Sequence, residues 1–124
     1  MILRTGVDLV ENERISAAIE RHGDRFLNRI FTPAEQELSG GRIPSLAGRY
    51  AAKEAVSKAF QSGIGDMQWV EIEILQDERG APKLVLHGDA AKIAAKQGLN
   101  TWSVSISHTE SHAVGMAVAL GSTV

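Results

Sequence analysis

The stretch Arg49-Tyr50-Ala51-Ala52-Lys53-Glu54-Ala55-Val56-Ser57-Lys58-Ala59-Phe60 decides how this chain folds. At about 100° per residue, Ala52, Ala55, Val56, Ala59 and Phe60 gather in one apolar arc of a helix. Lys53, Glu54, Ser57 and Lys58 fall on the other side, with Glu54 and Lys58 one turn apart. Three of the apolar positions are alanine, which lets the helix lie close against a sheet. Taken alone, the polar residues describe a solvated face. Their meaning turns on what else in the chain converges on Glu54.

Working outward, a Gly-, Ser- and Pro-rich loop over residues 39–44 precedes this helix, and Ser45 is expected to cap it. The exit, Gln61-Ser62-Gly63-Ile64-Gly65, reads either as a glycine-rich C-cap or as backbone amides that hold a phosphate or nucleotide. Upstream, Thr32-Pro33-Ala34-Glu35 is a capping box with proline at the first helical position, so a short helix is predicted over residues 33–38. Residues 11–30 are helical with a break at Gly23-Asp24. Ile15, Ile19, Phe26 and Ile30 form one stripe there; Arg14, Arg21, Arg25 and Arg29 form another. A continuous helix puts all four arginines on one face, whereas a stop at Gly23 leaves only pairs. Arginine suits carboxylate and phosphate recognition, so in a net-acidic chain the stripe points to an acidic partner. The alternative is a solvated face balanced by Glu11, Glu13 and Glu20. The opening residues, 2–10, are a strand that contains Gly6 and carries Asp8 in an apolar run. A carboxylate there is either a turn or cap residue or one aimed at a cation from a rigid element.

Downstream of Trp69 the periodicity changes from helical to alternating. Val70, Ile72 and Ile74 point one way, and Glu71 and Glu73 the other. A turn at 77–82 returns the chain as a strand over 83–87, and Asp89 is expected to cap an alanine-rich helix ending before Gly98. Strands over 101–109 and 113–120 complete the chain. His108 shares parity with Trp102, Val104 and Ile106, which puts it on the core face, or, beside Ser105, Ser107 and Thr109, at a phosphate contact. The expected class is α+β, a mostly antiparallel sheet packed against a long central helix, with residues 1–124 as a single domain.

Composition bounds the rest. A chain of 124 residues fits one domain and has little core to spare, so oligomerisation would help it. A net charge of −2 argues against a general nucleic-acid surface. The absence of cysteine excludes disulfides, thiolate metal sites and a cysteine nucleophile. Charge comes too early for a signal peptide, and no apolar run approaches the ~18 residues of a membrane span, so a cytoplasmic location is expected.

Asp8 and Glu54 are thus two carboxylates on rigid elements, with no histidine or cysteine placed to complete a soft-metal site. Hard oxygen ligands in small number are how Mg²⁺ is held, with substrate phosphates and water filling its octahedron. Lys53, Lys58 and Arg49 lie near Glu54 in sequence and are candidates to neutralise phosphate charge. Such a set supports phosphoryl-type transfer through positioning and charge stabilisation.

Three segments, Gly6-Val7-Asp8-Leu9, Arg49-Tyr50-Ala51-Ala52-Lys53-Glu54-Ala55 and Ser105-Ile106-Ser107-His108, together resemble the holo-acyl-carrier-protein synthases, the small single-domain branch of the 4'-phosphopantetheinyl transferases. Phe31-Thr32-Pro33-Ala34-Glu35, the Glu73-Ile74 strand and the Gly80-Ala81-Pro82 turn extend the likeness over nearly the whole chain. The resemblance implies transfer of phosphopantetheine from coenzyme A to a serine of an apo acyl carrier protein, releasing adenosine 3',5'-bisphosphate. It matches Asp8 and Glu54 to the Mg²⁺ ligands and Lys58 to the lysine near the diphosphate. His108 and Ser107 match the region that holds the 3'-phosphate or adenine end of coenzyme A. Either Glu54 or a metal-bound water is the base for the serine. The family usually has Gly-Thr-Gly after the central helix, where this chain has Gln61-Ser62-Gly63; Ser62 and Gly63 keep the hydroxyl and the flexible position. The resemblance also implies that the acidic carrier docks on the first helix, at Arg14, Arg21 and Arg25, and that a homotrimer binds coenzyme A between subunits.

Overall fold

The computed structural model describes residues 1–61 and 64–122. Among them the chain runs β1 (Ile2–Glu11), α1 (Asn12–His22), α2 (Asp24–Ile30), α3 (Pro33–Ser39) and α4 (Ile43–Ala59), then two 3₁₀ turns (Ile64–Asp66 and Trp69–Glu71). It continues with β2 (Ile72–Gln76), β3 (Pro82–Leu86), α5 (Gly88–Lys96), β4 (Leu99–His108) and β5 (His112–Gly121). All strand pairs are antiparallel, in two sheets: β1-β5-β4, and the hairpin β2-β3.

The close fit of α4 on the larger sheet follows from small side chains on both surfaces. Alternation along β5 turns Ala113, Gly115, Ala117, Ala119 and Gly121 inward, all buried, while Met116 and Leu120 face out. Against them α4 buries Ala47, Ala51, Ala52, Ala55 and Ala59. A Cβ added at Gly115 would overlap the Ala52 amide nitrogen, and one at Gly6 would overlap the Ala55 carbonyl oxygen. Only glycine lets the helix backbone ride on β1 and β5 at these points. The helix starts over β4, where Gly48 meets Ile106, and leaves over β1 near Gly6.

Two clusters fill the interior. One joins Val56 and Phe60 to Met67, Ile72, Ile74, Ala90, Ala94 and Leu99. The other joins Val10, Ile15, Ile30, Phe31, Leu46 and Tyr50. Each fully buried Ile or Phe in them stabilises the fold by about 1.5–3 kcal/mol.

Local signals place several ends as expected. The Thr32–Glu35 capping box closes α3, and Gly23 stops α1 with φ 57°, so the arginine stripe divides into pairs. Elsewhere packing overrides pattern. The loop before α4 is shorter than predicted: Arg42 precedes the helix, and Ser45 lies inside its first turn, accepting from Arg49 Nη1 at 2.6 Å. Val70 belongs to a 3₁₀ turn and not to a strand. Asp89 does not cap α5; its amide donates to Glu71 Oε2 at 2.7 Å.

The largest correction concerns α4. Lys53 and Ser57, expected on a solvated face, are 0% and 2% exposed, and Arg49 is 4% exposed. Lys53 Nζ donates to Glu35 Oε1 at 2.7 Å and to the carbonyls of Ile72 (2.7 Å) and Trp69 (3.1 Å). Glu35 in turn accepts from the amides of Thr32 and Ile74. The ion pair is fully enclosed and bolts α3 and β2 onto the helix.

Gln61 is the one non-glycine residue with positive φ (61°) among those described. It follows Phe60, whose carbonyl accepts from Gln97 Nε2 at 3.1 Å. A side chain in this left-handed position is strained, so Gln61→Gly is expected to stabilise the protein by about 0.5–1 kcal/mol. A higher urea midpoint with an unchanged m-value checks it.

Candidate active site and cofactor cleft

Asp8 is on the inward parity of β1, two residues beyond the glycine that admits α4. Glu54 and Lys58 are one turn apart on the helix that passes there. Lys58 Nζ donates to Asp8 Oδ1 at 3.0 Å and to the Val7 carbonyl at 3.1 Å. Its side chain is 53% exposed and that of Asp8 19%, so the group faces solvent from a firm base. Burial holds the Glu54 carboxyl above its usual pKa; the Asp8 charge adds to this, and Lys58 and Arg14 oppose it. Asp8, Glu54 and Lys58 therefore form one electrostatic unit. Lys53, next to Glu54 in sequence, does not join it, because all its donors are spent in the core.

A partly exposed site where the Asp8 charge works against ionisation of Glu54 fits a small hard cation. Among the described residues no group of three or more His, Cys, Asp or Glu side chains is arranged to hold a metal. A cation held by Asp8 and Glu54 must take its remaining oxygens from substrate and water, as Mg²⁺ does.

A cleft of about 700 Å³ opens at the other end of α4. Its lining includes Arg42, Arg49, His108, Ile106, Gly80 and Pro82. Arg49 is fixed there by Nε donating to the Ile74 carbonyl at 2.9 Å. His108 is exposed at the end of β4 and not in the core. Parity separates it from Ser107, which points to the opposite face of the sheet. Ser62 and Gly63, the other predicted cofactor contacts, lie outside the described residues.

A second cavity, about 430 Å³, is lined by His22, Arg25, Phe26, Arg29, Ile30, Tyr50 and Trp69. Tyr50 stacks on Trp69 with centroids 4.8 Å apart, and the Arg14 guanidinium lies 5.8 Å from the Tyr50 ring centre. Arg14, Arg21 and Arg25 are all exposed, Arg14 and Arg21 on α1 and Arg25 on α2. Sequence reasoning missed Arg42, hidden in an irregular stretch, and gave Tyr50 and Trp69 no role. No periodicity marks either aromatic as part of a cavity wall.

The outer face of β1-β5-β4 is also informative. Leu3 (64%), Val7 (58%), Leu9 (65%) and Met116 (44%) are exposed on it. No helix among the described residues is long and apolar enough to cross a membrane.

Comparison with known proteins agrees with this fold. A profile of the 4'-phosphopantetheinyl transferase superfamily matches residues 4–117. The chain is 49% identical over 118 residues to a holo-[acyl-carrier-protein] synthase of Dehalococcoides mccartyi, covering 95% of this chain and 98% of that one. It is 42% identical over 124 residues to the synthase of a Thermoanaerobacter strain, covering 98% and 89%. Among solved structures, the Helicobacter pylori holo-[acyl-carrier-protein] synthase in complex with coenzyme A is similar at a TM-score of 0.86 and 32% identity, covering 94% and 99%.

Proposed function

The chain belongs to the 4'-phosphopantetheinyl transferase superfamily, and from that premise we propose that it is a holo-[acyl-carrier-protein] synthase. It moves phosphopantetheine from coenzyme A to a serine of an apo acyl carrier protein and releases adenosine 3',5'-bisphosphate. The observation that carries this reading is the Asp8–Lys58–Glu54 unit at the point where α4 crosses β1. A binding module needs no such set of charges.

In this reading Asp8 and Glu54 hold Mg²⁺. When bound, the ion supplies Lewis-acid polarisation of the attacked phosphate and offsets charge on the departing bisphosphate. The serine oxygen bonds to the phosphorus that bears pantetheine as that phosphorus parts from the bisphosphate oxygen. Lys58, oriented by Val7 and Asp8, has a third donor for the diphosphate. Glu54 lacks the lysine hydrogen bond that Asp8 has and is pushed toward higher pKa by burial, so it is the acceptor we assign for the serine proton. Arg42 and Arg49 supply cationic donors and His108 an imidazole for the phosphorylated adenosine end. The resemblance assigns Ser62 and Gly63 to cosubstrate binding as well. Ser107 points to the sheet face opposite His108.

The exposed apolar sheet face supports a homotrimer, since closed cyclic assembly would cover it on every copy. Docking of the acidic carrier on Arg14, Arg21 and Arg25 supports encounter through complementary charge. The carrier in this reading is that of fatty-acid synthesis, in the cytoplasm where coenzyme A is available.

Incubation with coenzyme A, Mg²⁺ and apo carrier tests the reading by mass spectrometry. A carrier heavier by one phosphopantetheine supports it. Coenzyme A cleavage without labelling supports a phosphohydrolase instead, and no turnover supports a silent binder. In the same assay Arg14→Glu is expected to raise the carrier KM about tenfold, with a smaller salt dependence, and to leave the coenzyme A KM unmoved. Unchanged carrier kinetics would remove Arg14 from the docking face.

A further inference from the structure

Tyr50 has a hydroxyl that packing does not require. The residue is only 8% exposed, and its ring lies 24° from the plane of Trp69, so it is held against rotation. The Arg14 guanidinium lies within cation–π reach of the same ring. Phenylalanine would fill this space and keep both contacts. Yet the hydroxyl makes no hydrogen bond to any described residue, whereas all three donors of Lys53 on the same helix are spent. A fixed donor with no internal partner is suited to one that arrives from outside.

Its place on α4 narrows what arrives. Tyr50 is one turn before Glu54, and it lines the cavity whose rim carries Arg25 and Arg29. It therefore stands between the arginines of α1 and α2 and the carboxylate pair. We propose that the Tyr50 hydroxyl is a carrier-positioning group: it donates a hydrogen bond to an oxygen of the docked acidic carrier and sets the acceptor serine in register with Glu54. This rests on the transferase reading and names a contact that reading does not contain. Burial raises the Tyr50 pKa, Arg14 opposes this, and Glu54 and Asp8 add to it, so the phenol stays protonated and available as a donor. The Trp69 shelf keeps the oxygen in place, which is what positioning demands.

Tyr50→Phe tests this with the full chain, because it deletes one oxygen and leaves the stack. With coenzyme A and Mg²⁺ saturating and apo carrier varied, kcat/KM for the carrier is expected to fall about 3- to 10-fold, the range for one lost neutral hydrogen bond. The coenzyme A KM and the melting temperature should stay at wild-type values, as a purely structural role would not allow with the carrier constant moved. A carrier kcat/KM within twofold of wild type, beside a wild type that labels its carrier, overturns the inference alone. An equal rise in the coenzyme A KM also overturns it, since the hydroxyl would then serve the cosubstrate. A wild type that labels no carrier overturns the transferase reading and this contact with it.

Discussion

Glu54→Ala, and separately Asp8→Ala, is expected to cut phosphopantetheine transfer on the order of 10³-fold while the protein still folds. The reason for intact folding lies in the sign of the electrostatics. Burial, then Asp8, raises the folded pKa of Glu54 above its unfolded value. Ionised Glu54 therefore carries a penalty that grows as pH rises from the unfolded toward the folded pKa. Above that window its removal takes a strain away, so Glu54→Ala should melt within a few degrees of wild type. Asp8 loses only a half-exposed pair with Lys58, worth under about 1 kcal/mol. Mass spectrometry of the carrier reads the loss of transfer. A second readout is independent of turnover: Mg²⁺ should raise the melting temperature of wild type and leave both variants unmoved. An equal Mg²⁺ shift in all three would place the ion elsewhere and sink the assignment.

Lys53→Met should do the opposite, weakening the fold by about 3–5 kcal/mol. Glu35 would remain fully enclosed without its cation, and the carbonyls of Trp69 and Ile72 would lose their donor. Against a total of about 5–15 kcal/mol for a domain, that leaves little reserve. Burial already pulls the Lys53 pKa down with Glu35 opposing, so the ammonium depends on this one environment. Adding Glu35→Leu should recover part of the loss, because no buried charge then stands alone. Urea unfolding followed by circular dichroism measures both. A loss below about 1 kcal/mol with a large rise in coenzyme A KM would return Lys53 to a phosphate-binding role.

These two lysines mark how much was legible in the chain. Lys58 lies across the helical wheel from Val56 and Phe60, whereas Lys53, three residues before one and seven before the other, lies at the edge of the apolar arc. One is half exposed against Asp8; the other is sealed beneath α3 and β2. A wheel knows one buried side, whereas α4 is covered by a sheet on one flank and by α3, Trp69 and Ile72 on another. The same limit hid the cavity under Tyr50.

What the sequence determined by itself is local: the Thr32–Glu35 box, the stop at Gly23, the small residues alternating along β5, and the arginines of the first two helices. Each depends on hydrogen bonds or side-chain periods within a few residues, so neighbours in the chain suffice. Tertiary structure alone decided that Asp8 meets Lys58 and senses Glu54, fifty and forty-six positions away. That meeting exists because Gly6 and Gly115 lack the carbon that would hold α4 off the sheet, a steric fact that acts only once distant segments touch.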